Sequence, residues 1–262
     1  MSNVEEEVLF EIRDRVAYIT MNRPESRNAL SQAVVARLAE VFTVAAEDND
    51  VWAIVLTGAG DRAFCAGGDL KELNQIAQEG RRFPVPMTGT ERNLFELVLE
   101  VGKPTIASLN GPAVAGGFEL ALACDIRIAA EHSTIGMPEA KRGMGANFAT
   151  VLLPRLVPRS VALSMLYTGE LMAPSEALHW GLVNAVHPAD QLAKETEEFV
   201  RSIVANAPLA LRRYKEMVTK GWELSVQAAL RLNVGPNPYL SADREEGVRA
   251  FIEKRAPRWE GK

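Results

Sequence analysis

"KPTIASLNGPAVAGGFELALACDIRIAA", residues 103–130, decides the fold. "KPTIASLNG" reads as a strand ending in glycine. "GFELALAC" reads as a helix and "DIRIAA" as another strand. A strand, a Gly-containing loop and a helix that leads into the next strand form a crossover, and such crossovers are right-handed. One acid, Glu119, sits two residues after the Gly116-Gly117 pair in an apolar, small-residue run. An ionised carboxylate buried without partners costs several kcal/mol. Glu119 therefore implies either a structural salt bridge or chemistry.

The same unit appears on both sides of this stretch. Strand, Gly loop and helix recur at 51–79, 104–124 and 125–157. In the first unit "WAIVLTGAG" is the strand, and "DLKEL" starts the helix with Asp69 and Glu72 at capping-box spacing. Before it, "VLFEIRDRVAYITMNRP" reads as a hairpin turning at Asp14-Arg15. "SQAVVARLAEVFTVAAED" reads as an amphipathic helix with Ser31 as N-cap and Val34, Leu38, Val41 and Ala45 on one face. "RNLFELVLEV" is helical, and "STIGMPEA" is a short strand with a turn. From about residue 158 the chain becomes a series of helices separated by Pro and Gly, with "LVNAVH" as its one clear strand. The expected fold class is α/β: a right-handed stack of successive turns followed by a helical C-terminal region.

Composition narrows the function. The 262 residues suit one domain with an appendage or two small ones, and are enough to bury a core without staples. A net charge of −5 argues against a general nucleic-acid binder. Cys65 and Cys124 form neither a disulfide framework nor a zinc spacing. The acidic "MSNVEEEVLF" start lacks the apolar core of a signal peptide, and no run of about 18 apolar residues is present. The expected location is the cytoplasm.

GxSxG, HExxH and GxxxxGK[ST] do not occur, and the three histidines are scattered. Catalysis would have to rest on carboxylates and backbone donors. "FCAGGDL" (64–70) and "AVAGGFE" (113–119) are Gly-rich loops that each run into a helix. Each offers N–H groups to an anionic oxygen, although glycine there also simply permits tight turns. Glu119 in the first helical turn and Glu139 in "GMPEAK" are a candidate acid–base pair. The plain alternative for Glu139 is a surface acid paired with Lys141 or Arg142.

These segments resemble the enoyl-CoA hydratase/isomerase (crotonase) superfamily along essentially the whole chain. The likeness rests on the order and spacing of "ITMNRPESRNAL", "VLTGAGDRAFCAGGDLKEL", "KPTIASLNGPAVAGGFELALACDIRIA", "PEAKRGM", "LPRLVP", "YTGELMAPSEALHWGLVNAV" and "EGVRAFIEKRAPRW". The resemblance implies a crotonase-like right-handed spiral of repeated ββα turns. Residues 1–200 would form the catalytic core and 201–262 a helical oligomerisation region. It implies that Ala66 and Gly116 supply the N–H groups of an oxyanion hole. Ser26, Arg27, Ala29, Gly68 and Asp69 would lie along the CoA-binding stretch, and Phe251 and Lys254 would reach a CoA, often a neighbour's. Glu119 would activate water and Glu139 would protonate Cα of a 2-enoyl-CoA. Coenzyme A is then part of the substrate, no separate cofactor or metal is needed, and a homotrimer or homohexamer is expected.

Other reactions of that superfamily remain alternatives: isomerisation, thioester hydrolysis or carbon–carbon cleavage. So does a non-catalytic CoA- or RNA-binding scaffold. One departure bears on the choice. Hydratases commonly read Leu-Gly after the second acid and then a Gly-rich turn, whereas residues 142–151 here read "RGMGANFATV". Phe148 and Asn147 are expected to reshape the acyl pocket. "IAQEGRRFPVPMTGTERN" gives no reading of chain length.

Overall fold

A computed structural model describes residues 4–81 and 92–262, so most of the "IAQEGRRFPVPMTGTERN" segment lies outside the described residues. The chain opens with α1 (Val4–Glu7), then β1 (Val8–Arg13) and β2 (Val16–Met21). β1 and β2 pair antiparallel with Arg13 opposite Val16. The two residues between them, Asp14 and Arg15, both have positive φ (50° and 67°), as a two-residue primed hairpin turn requires.

Next come α2 (Gln32–Glu47), β3 (Ala53–Gly58), α3 (Leu70–Gln78) and α4 (Leu94–Glu100). The central unit follows as β4 (Thr105–Leu109), β5 (Ala113–Val114), α5 (Gly116–Ala123) and β6 (Ile126–Ala130). β7 (Ile135–Gly136), a 3₁₀ turn (Pro138–Arg142), α6 (Asn147–Leu156), α7 (Arg159–Thr168) and α8 (Pro174–His179) complete this half. The remainder is β8 (Ala185–His187), α9 (Leu192–Val204), α10 (Pro208–Gly221), α11 (Val226–Ala229) and α12 (Ala242–Glu253).

The main sheet has six strands in the order β1-β2-β3-β4-β6-β8, parallel from β2 onward. A second, narrow layer rides on it. Bridges join Cys65 to Ala113, β5 to β7, and Ile135 to Met172. Each turn of the chain therefore contributes a long strand, a short rung and a helix, which is the expected spiral.

The central strands β3, β4 and β6 are buried on both faces, and the period of two sorts their side chains. Ile54, Leu56, Ala107 and Leu109 join the large core beneath α2, α5 and α6. Ala53, Val55, Ile106 and Ile128 form the other, smaller core, closed by Leu192 and Val200 of α9. The boundary expected after residue 200 falls within α9. The C-terminal helices are also tied to the core, because Lys215 of α10 buries its ammonium against Asp125 Oδ2 (2.9 Å) and the Lys103 carbonyl (3.0 Å).

The expected caps divide. Ser31 accepts the Val34 N–H (3.2 Å) and caps α2. Asp69 caps α3 through the N–H groups of Lys71 and Glu72. Glu72 does not complete a capping box with it: its carboxylate accepts the Gln32 N–H instead (2.9 Å) and ties α3 to the start of α2. The reciprocal box belongs to Asn93 and Glu96 on α4. Among the described residues no helix is long and apolar enough to cross a membrane.

Candidate active site

Two neighbouring turns of the spiral meet at their Gly loops. Cys65 and Ala113 are bridged, and the Val114 N–H donates to the Cys65 carbonyl (3.0 Å). This register sets Gly68 beside Gly116: a Cβ on Gly116 would lie 3.8 Å from the Gly68 nitrogen and 3.8 Å from Gly67 Cα. Both glycines line a cavity of about 530 Å³. Among the described residues, neither the Gly68 nor the Gly116 N–H has a hydrogen-bond acceptor.

Ala66 also lines this cavity, but its N–H donates to the Arg27 carbonyl (3.0 Å). The expectation that Ala66 offers a free donor therefore does not fit. An unbroken strand would turn the N–H groups of residues 66 and 68 to the same side. Gly67, at φ +88°, breaks that alternation and leaves Gly68 as the free donor. A Cβ on Gly68 would meet only Leu73 Cδ1, at an ordinary 3.8 Å. Gly68→Ala is expected to keep turnover within a few-fold, because the donor is backbone; steady-state assay of the variant checks this.

Ala115, just before the second donor, holds φ 55° and ψ −131°. A side chain in such a region costs on the order of 1–3 kcal/mol and persists where the surroundings impose it. Here the Ala115 N–H is fixed to the Gly136 carbonyl (2.9 Å), and the Ala115 carbonyl accepts from Phe118 and Glu119. Ala115→Gly is expected to gain about 1 kcal/mol and raise Tm by about 2–4 °C, readable by thermal melting.

Glu119 is 6% exposed. Its Oε1 accepts the Ala149 N–H at 2.9 Å. α6 begins at Asn147 and has no side-chain cap of its own, so Glu119 supplies the missing acceptor from another element. Burial pushes its carboxyl up, and the N–H groups of Ala149 and Phe148 work against that rise. Glu139 is 7% exposed and its Oε2 is buried without a partner among the described residues. Burial, reinforced by the nearby Glu119 charge, lifts its carboxyl to about 7, while its own backbone N–H and Arg142 oppose the rise. Lys141 pairs with Glu170 (2.6 Å), so Glu139 is not the surface acid of a Lys141 pair. Both acids line the same cavity as the two free N–H groups.

The profile of the family described as "Enoyl-CoA hydratase/isomerase" matches residues 11–262. The chain belongs to the enoyl-CoA hydratase/isomerase family. It is 36% identical to "(E)-benzylidenesuccinyl-CoA hydratase" of Thauera aromatica, over 97% of this chain and 99% of that one. It is 34% identical to "Short-chain-enoyl-CoA hydratase" of Clostridium acetobutylicum, over 95% of each. Among solved structures, enoyl-CoA hydratase from Bacillus anthracis superposes with a TM-score of 0.89 at 34% identity, covering 98% of this chain and all of that one.

Within this family frame the remaining candidate residues separate. Asp69 lines the cavity beside Gly68. Burial would raise its carboxyl, but the Arg23 guanidinium (3.1 Å) and the N–H groups of Glu72 and Lys71 outweigh that and hold it below the usual range. Ser26, Arg27 and Ala29 lie on the loop before α2 and do not line the cavity. Asn28, which carries no motif signal, pins that loop: its Nδ2 donates to the carbonyls of Ala59 and Ala63. Phe251 (85% exposed) and Lys254 sit at the end of α12, outside the cavity.

Phe148 corrects an expectation. Its ring is buried and packs on Phe95 with centroids 5.5 Å apart, so Phe95 lines the cavity and Phe148 supports it from behind. Asn147 does line the cavity. Among the described residues no group of three or more His, Cys, Asp or Glu is arranged to hold a metal ion.

Proposed function

We propose that this enzyme adds water reversibly across the 2,3 double bond of a 2-enoyl-CoA to give a 3-hydroxyacyl-CoA. The observation that carries the reading is the pair of buried carboxylates, one hydrogen-bonded and one unpartnered, facing one cavity with two unengaged backbone N–H groups. The thioester oxygen lies between the N–H groups of Gly68 and Gly116. One such donor is worth roughly 2.7–4 kcal/mol in the transition state.

Glu119, whose rise on burial is opposed by the N–H groups of α6, takes a proton from water as the water oxygen bonds to Cβ. The π electrons move to Cα and the carbonyl, and the two N–H groups hold the enolate-like oxygen. Glu139, whose carboxyl sits at about 7, delivers a proton to Cα. Two buried acids on one cavity, one of them stabilised by backbone N–H groups and the other without a partner on Oε2, suit a divided acid–base task.

The loop 23–30 and Asp69 line the path of the CoA, with Ser26, Arg27 and Ala29 contributing mainly backbone. Phe251 and Lys254 reach a CoA from a neighbouring subunit, in a homotrimer or a pair of trimers. Residues 201–262 form the oligomerisation region. Trp222, Val226, Leu230, Leu240, Phe251 and Ile252, all within this region, are large apolar side chains left exposed, which supports a partner surface there. The cytoplasm is the expected location, and coenzyme A enters as part of the substrate.

Crotonyl-CoA hydration, followed at the enoyl-thioester absorbance with product mass analysis, tests the reading. A water adduct formed by the wild type and lost in Glu119→Gln and Glu139→Gln is the expected result. Double-bond migration or free CoA as the main product would replace it with one of the other reactions of the family.

A further inference from the structure

Arg142 brings to this cavity a cation that makes no ion pair among the described residues, although its charge acts on Glu139. It closes the 3₁₀ turn that carries Glu139, three residues earlier. Its only hydrogen bond among the described residues is a long one, 3.5 Å, to the Pro138 carbonyl. The other charged residues of the cavity are acids; Glu139, with its unpartnered Oε2, is raised to about 7 and so is largely protonated below that, and the remaining three are engaged. Asp69 on α3 holds Arg23, Glu72 on α3 accepts the Gln32 N–H, and Glu119 on α5 accepts the Ala149 N–H. Asn147, the first residue of α6, also lines the cavity, and its side chain makes only a 3.5 Å contact to the Gly145 carbonyl. The walls around these two polar groups are apolar: Val35, Leu73, Phe95 and Met144.

Arg142 is exposed and Asn147 half-buried, so a wholly hydrocarbon acyl group beside them would strip part of their water and return no hydrogen bond. A carboxylate on the acyl group would meet both donors. Guanidinium and carboxylate match in shape and form charge-assisted, often bidentate, hydrogen bonds. Such a group would otherwise be repelled by Glu119 and its neighbouring acids, so the cation also removes a barrier.

We propose that Arg142, with Asn147 beside it, selects CoA thioesters whose acyl group carries a carboxylate. This deepens the hydratase reading, but the selection concerns binding alone.

The test measures calorimetric binding of two saturated thioesters, glutaryl-CoA and hexanoyl-CoA, and of free CoA. None of them undergoes hydration, so the outcome does not depend on whether the chain adds water. Crotonyl-CoA turnover is measured in parallel and judges that reading by itself. The wild type is expected to bind glutaryl-CoA more tightly than hexanoyl-CoA by about tenfold. Arg142→Leu is expected to abolish or reverse that ratio, and Arg142→Lys to keep part of it. A wild type that prefers hexanoyl-CoA overturns the proposal, as does an Arg142→Leu variant that preserves the ratio. Equal losses for both thioesters and for free CoA would place Arg142 on the CoA phosphates and would also overturn it.

Discussion

Replacing Glu139 with Gln is expected to lower kcat by about 10²–10⁴-fold while removing a pH-dependent strain on the fold. The carboxyl is lifted from an ordinary 4.5 to about 7, chiefly by burial. Between those values the folded protein keeps a proton that the unfolded chain has released. The stability contributed by this group therefore falls as pH rises from about 4.5 to about 7, and stays low above that. The gap corresponds to up to about 3 kcal/mol at 1.36 kcal/mol per pH unit. Gln does not ionise, so the wild type minus variant difference in urea stability should change by up to that amount between pH 5 and pH 8.5. A difference that is the same at both pH values would contradict the assignment. On the activity side, an acid that must hold its proton predicts that hydration slows above about pH 7. Glu119→Gln should lose a similar factor in kcat and remain folded, because an amide oxygen can still accept the Ala149 N–H.

Gly117→Ala is expected to be the most damaging single methyl in the site. A Cβ there would lie 2.2 Å from the Cys65 carbonyl oxygen and 2.7 Å from Cys65 Cβ. Overpacking ordinarily costs about 1–3 kcal/mol when side chains yield. Here the first obstacle is backbone, and it belongs to the rung that holds the two Gly loops in register. A loss of about 3 kcal/mol or more in urea-induced unfolding is expected, or failure to accumulate as folded protein. Gly80→Ala is the matched comparison. Gly80, unlike the helical Gly117, has positive φ (68°), but among the described residues nothing lies within 4 Å of its added Cβ, so only the backbone cost of about 1 kcal/mol applies. Equal stability of the two variants would refute the packing argument.

The spiral was legible because each turn repeats the same local signals. Apolar strand, Gly loop and helix follow one another at 51–79, 104–124 and 125–157, and the hairpin at Asp14-Arg15 and the Ser31 cap were local enough to read directly. Glu119 stood out as one acid in a small apolar run. The free donor was not legible. "CAGGD" does not say which N–H is engaged, because that depends on Arg27 arriving from another segment and on the positive φ of Gly67. Glu72 misled for a related reason: its spacing suited a capping box, but Gln32 of a neighbouring helix took its carboxylate. The strain at Ala115 left no trace either, since alanine gives no hint of positive φ.

The rung between Cys65 and Ala113 has one more consequence. Neighbouring rungs of a ladder are spaced by the peptide hydrogen bond, about 4.8 Å, whatever side chains they carry. The distance between the two donors proposed for the thioester oxygen is therefore inherited from the ladder. Side chains on the loop after Glu139 are under no such constraint, because α6 meets Glu119 through the backbone N–H of Ala149. Activation of the thioester and choice of acyl group are thus separately adjustable, so descendants of this chain can change diet without rebuilding their chemistry.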